Sequence, residues 1–184
     1  QLYVDKNLNL AFNAEKEITK LWRNLHNAQG EICKTFYRWR EVALEVAGPD
    51  VKPLDVAFKA AEMMGKDIGK DFLPRMNWLK GEEGFMMNLG RSLAGLWITE
   101  GGIAFAEKGE TPGEVFVKCT RCPWPTAAKL YGVPMEEVAL TRERFFQTML
   151  EDVSVFLNIS VKIEMLKAIP RGQGEWLFRL YKEE

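Results

Sequence analysis

The sequence predicts an α+β fold: a helix-rich N-terminal part packed on a small antiparallel sheet, with a long C-terminal helix. Three observations carry this reading. Apolar residues recur at helical spacing over about residues 8–100. The period then switches to alternation at Ile103-Ala-Phe-Ala-Glu107 and Glu114-Val-Phe-Val-Lys-Cys119. One more helical run and one more alternating pair follow. Runs of helix and strand that do not alternate one for one give segregated layers. At 184 residues and 47% apolar, the chain is read as a single domain over 1–184, with a helical part at about 8–100 and a mixed part at about 101–184.

The first helix is predicted over 8–47. Ile18, Leu25, Ile32, Trp39 and Val46 recur every seven residues, and Trp22, Gln29, Phe36 and Ala43 form the interleaved row. Together they make one apolar stripe. A straight helix of that length reaches roughly 60 Å at 1.5 Å per residue. A globule of this size is only about 40 Å across. The helix is therefore expected either to bend near Asn27–Gly30 or to project and pair with a partner. Gly48-Pro49 ends it.

Pro53 opens a second helix, with Leu54, Phe58, Ala61, Gly65, Ile68 and Phe72 on one face and Pro74 as its stop. A third is predicted from about Glu82 to Thr99, with Phe85, Met86, Leu89, Leu93, Leu96 and Trp97 as its stripe. Gly90 and Gly95 inside it read as close packing or as room for a ligand. The Gly109–Gly113 stretch turns the chain between two strands. Pro134 opens the long helix, lined by Val138, Phe145, Met149, Val153 and Phe156. Val161, Ile163 and Met165 then alternate inward, as do Trp176, Phe178 and Leu180 on a final strand. Of the adjacent pairs Met63-Met64 and Met86-Met87, one member each should face a second element, a ligand or a partner.

The 25 basic and 26 acidic residues are interspersed, so no basic stripe marks a nucleic-acid surface. No apolar run approaches the roughly 18–20 residues of a membrane span. The opening Gln1-Leu-Tyr-Val-Asp-Lys-Asn lacks the pattern of a secretory signal. Three cysteines are too few for a secreted disulfide scaffold. The expected compartment is a reduced cytoplasm.

Cys119-Thr-Arg-Cys122-Pro-Trp-Pro125 is the stretch with chemical content. A C-x-x-C pair can clamp a metal, cycle through a disulfide, or pack as a plain pair. As a metal site it supplies two thiolates. The further Cys and His ligands available are Cys33 and His26, seven residues apart on the first helix. Cys119, Cys122, Cys33 and His26 are thus the candidate ligand set, with zinc or an iron–sulfur cluster as the expected cofactor. For the redox reading, Pro123 and Pro125 imply that any helix starts after the pair. Lys118 and Arg121 would then favour a thiolate. All three readings stay open.

The run from Glu114 to Lys182 resembles the C-terminal part of the L-2-amino-thiazoline-4-carboxylic acid hydrolase-like family and the related 4-vinyl reductase small-molecule-binding domains. The shared order is a strand running into Cys119, then Ala128-Lys-Leu-Tyr-Gly132, a long helix, and a strand pair ending in Trp176-Leu-Phe-Arg-Leu-Tyr181. The resemblance implies an α+β fold with a ligand-sized pocket between helices and sheet. Where such families carry further cysteines, this chain has Arg142-Glu143 and Glu175-Trp176. Inherited hydrolase chemistry would therefore need other residues.

The leading expectation is a protein that binds a small apolar ligand or a metal near Cys119 and Cys122, hydrolase-like in descent. The rival expectation is a non-catalytic accessory subunit of a larger complex, joined to a protein partner or to a second copy through the first helix.

Overall fold

The structure is a computed structural model that describes residues 14–79 and 84–183. The described elements are α1 (Ala14–Ala47), α2 (Pro53–Leu79), α3 (Phe85–Thr99), β1 (Ile103–Lys108), β2 (Val115–Arg121), α4 (Pro123–Leu130), α5 (Met135–Leu157), β3 (Val161–Lys167), a 3-10 turn (Ile169–Arg171) and β4 (Trp176–Lys182). The fold is α+β, as the switch of period predicts. The expected starts of the first helix at residue 8 and of the third at Glu82 lie outside the described residues.

The four strands form an antiparallel sheet in the order β1-β2-β4-β3. Its register follows from the alternation. Val117 faces Phe178, and Phe178 faces Met165. Val115, Leu180 and Ile163 form the next row. All of these are buried, while Lys118, Arg179, Lys162 and Glu164 point to the other, more open face. The alternation of β3 and β4 is therefore in the predicted register.

Helices α3 and α5 cover the apolar face. Trp97 of α3, Phe146 of α5 and Phe178 of β4 meet there, with ring centroids 4.7, 5.5 and 5.2 Å apart pairwise. Gly90 lets α3 lie close on the sheet, because a Cβ at that position would meet Val115 Cγ1 at 2.6 Å. Gly95 serves no such contact: a Cβ there would meet nothing within 4 Å. Helix α2 packs along α5. Gly65 makes this possible, since its Cβ would stand 2.7 Å from the Phe145 carbonyl oxygen.

Two expectations are corrected. Helix α2 does not stop at Pro74 but runs to Leu79; proline removes one ladder bond, and packing along α5 outweighs that loss. Phe156 does not line α5 inward but is exposed in its last turns. Helix α1 is one continuous helix through Gly30, the form expected if it projects. Its heptad row does not face the core. Ile18, Leu25, Ile32, Trp39 and Val46 are exposed, Trp39 by 67% and Val46 by 83%.

The buried face of α1 is instead the row Gln29, Cys33, Tyr37 and Arg40. Spacings of four, four and three keep these on one side of the helix. Two polar anchors explain why this side wins. Gln29 Nε2 donates to the Thr99 carbonyl at 3.0 Å, holding α1 to the end of α3. Arg40 Nε and Nη2 donate to Glu137 at 2.5 and 2.8 Å, holding it to α5. Both ion-pair partners are buried. From Glu15 to Ala28 every α1 residue is exposed except the half-buried Glu17, so the first half of the helix stands clear of the domain.

Candidate functional site

Cys119 closes β2 on its inward face and is fully buried. Its thiol donates to the Arg121 carbonyl at 3.0 Å. Cys122 follows with an extended backbone, φ −140° and ψ 128°, and caps α4 with Pro123 in the first turn. The helix therefore begins directly after Cys122, after the pair as the prolines imply. Proline at the first helical position lacks only an N–H that would have no partner there. The cysteine nearer the helix N-terminus is thus the second of the pair.

The Cys122 thiol is held below the usual range, first by a proton shared from Cys119, then by the nearby Arg142 guanidinium and the Trp124 amide, against its burial. Cys119 is pushed strongly up, first by holding that proton and then by burial. Of the pair, Cys122 is therefore the thiol that ionises more readily.

Cys33 of α1 reaches the same neighbourhood and interacts electrostatically with Cys122. Burial, with Glu100 and Cys122 adding to it, pushes its thiol up to about 12. His26 does not join the three cysteines. Its Nδ1 pairs with Gln29 Oε1 at 3.2 Å, one turn before Cys33. It lines, with Cys122, Lys34 and Arg121, a groove of about 280 Å³ between α1 and α4. Among the described residues no three His, Cys, Asp or Glu side chains converge in a way that could hold a metal ion. Of the four candidate ligands, His26 is thus turned to Gln29 rather than to the cysteines.

Arg142 dominates the site. It lies on α5 at a position of the apolar stripe, four residues after Val138 and three before Phe145. It is buried, and its guanidinium stands 4.8–5.5 Å from the ring centroids of Phe146, Phe145, Trp97 and Trp124. Glu100, just past α3, accepts from Nη1 at 3.3 Å and from Nη2 at 2.6 Å. It also accepts from Trp124 Nε1 at 2.8 Å. Burial opposes the charge of Arg142, but Glu100 and the cysteine sulfurs outweigh it.

Beside Arg142 lies a cavity of about 30 Å³ where α1, α2, α4, α5 and β4 meet. Its walls include Phe36, Ala61, Met64, Thr141, Trp124 and Trp176. Of the two methionine pairs, Met63 faces outward while Met64 lines this cavity, and Met86 is buried beside a half-buried Met87. The sequence brings forward the three cysteines but not Arg142, Glu100 or Tyr37. The signal for Arg142 was a charged residue in phase with an apolar stripe.

No family model matches the chain, and no curated protein does. Among solved structures the fold is similar to that of a trafficking protein particle complex subunit 3 from Naegleria fowleri, solved covalently bound to palmitic acid. That likeness covers 86% of this chain and 97% of the other, with a TM-score of 0.55 and 13% identity. At such identity it shows the fold alone. Among the described residues no helix is long and apolar enough to cross a membrane.

Proposed function

We propose that this chain is a non-catalytic subunit of a larger assembly and that α1 is its docking element. The carrying observation is the outer face of α1. Ile18, Leu21, Trp22, Leu25, Ile32 and Trp39 are each about half exposed or more on one continuous helix. Contiguous apolar surface of this kind marks an interaction site on a folded protein.

Two further points support the reading. From Glu15 to Ala28 α1 is exposed apart from the half-buried Glu17, and helical segments of 12–15 residues or fewer are marginal alone in water. A partner helix laid along the heptad row would stabilise it, with about 1.5–3 kcal/mol available per large apolar side chain fully buried. The structural neighbour is itself, by its description, a subunit of a particle complex. The fixed thiols and the water-sized cavity give no comparable support to catalysis.

The test is the solution mass of the purified chain, alone and as Ile18→Asp/Leu25→Asp. The wild type should self-associate or co-purify with a partner subunit. The double variant should be a monomer with unchanged unfolding midpoint, because neither side chain is in the core. A monomeric, well-behaved wild type that captures no partner would overturn the reading.

A further inference from the structure

Among the described residues, the buried side-chain atoms with no hydrogen-bond partner include Thr141 Oγ1, Arg142 Nε and Trp176 Nε1. These three residues come from α5 and β4, and all three line the 30 Å³ cavity. Each terminal nitrogen of Arg142 donates one hydrogen to Glu100, at 3.3 and 2.6 Å, while Nε–H has no partner. Arg142 and Trp176 nitrogens can only donate, and the Thr141 hydroxyl can donate too. Arg142 is 6% exposed and Trp176 is not exposed at all. Buried donors are nearly always paired in folded proteins. What the cavity lacks is an acceptor.

We infer that this cavity binds a neutral acceptor oxygen, a carbonyl, at the end of a slender apolar ligand. A water needs about 10–15 Å³ of such space. A cavity of about 30 Å³ therefore takes a carbonyl group but not a whole ligand. The apolar remainder leaves past Ala61 and between Phe36 and Met64, two half-buried side chains at the seam of α1 and α2. The oxygen is neutral because Glu100 already offsets the Arg142 charge. A carboxylate would add a second negative charge beside a neutralised guanidinium, in a site with little water to screen it. This inference does not depend on docking through α1.

The test uses matched eight-carbon probes, 2-octanone, octane and octanoate, titrated calorimetrically into the full chain. The ketone should bind saturably and about tenfold tighter than the alkane, the worth of roughly one net hydrogen bond. Octanoate should bind no better than octane. Thr141→Val is nearly isosteric and keeps the ion pair intact. It should weaken ketone binding toward the alkane level while the alkane is unaffected. Three probes that bind alike, no saturable ketone binding, or an unchanged ketone affinity in Thr141→Val each overturn the inference. So does a crystal of the ketone complex in which one ordered water, rather than the ligand oxygen, meets the three groups.

Discussion

Arg142 Nη2 donates to Glu100 Oε2 at 2.6 Å, joining the middle of α5 to the end of α3 inside a ring of four aromatic side chains. The pair does more than neutralise a charge. Glu100 also receives Trp124 Nε1 at 2.8 Å, so one carboxylate ties three helices at a single point.

Removing one partner should therefore be costly. Glu100→Gln and Arg142→Met are each expected to destabilise the domain by about 3–5 kcal/mol, because each leaves a buried charge uncompensated. The double variant should recover part of that loss. Urea unfolding of the four proteins as a double-mutant cycle checks this; additive losses would mean that the pair is solvated and weak.

Glycines on two helices should behave oppositely. Gly65→Ala places a methyl 2.7 Å from the Phe145 carbonyl oxygen, a backbone atom that cannot step aside. It should cost about 1–3 kcal/mol, as over-packing does. Gly95→Ala meets nothing within 4 Å and lies inside α3. It should stabilise the fold by about 0.5–1 kcal/mol through helix propensity. Thermal unfolding of both variants reads the signs directly.

The thiols should separate by pH. Cys122, held low by its hydrogen bond with Cys119, should react first with a thiol reagent as pH is raised, and Cys122→Ser should abolish that phase. Cys33, up at about 12, should stay silent until alkaline pH. The same shift has a stability consequence. Cys33 binds its proton more tightly folded than unfolded, where its value is 9.0. The folded state then holds more protons, so stability is intact below about pH 9 and falls as pH rises toward 12. Burial pushes Tyr37 in the same direction, so it should add to that loss. Cys33→Ala should flatten the decline measured by chemical unfolding between those limits, and an unchanged slope would assign it to Tyr37 and Cys119.

Much of the fold was legible from the residues. The alternation at Val161, Ile163 and Met165, and at Trp176, Phe178 and Leu180, determines by itself which side of β3 and β4 is buried. A strand has only two faces, and a slip of one residue would expose every apolar side chain. The seven-residue row on α1 likewise determined that this helix is amphipathic and too long for its domain.

Tertiary structure alone decided which face of α1 meets the core, because a helix offers a continuum of faces. The row Gln29, Cys33, Tyr37 and Arg40 prevails through partners at Thr99 and Glu137, 70 and 97 residues away in sequence. Local periodicity contains no information about such distant anchors. The site divides in the same way. The spacing of Cys119 and Cys122 determined a close thiol pair, and the alternation of β2 turned Cys119 inward. That the pair meets Arg142, that Glu100 neutralises it, and that three donors surround a cavity without an acceptor depends on α3, α5 and β4 converging. Polar groups that far apart in sequence become a site only when folding removes the water between them.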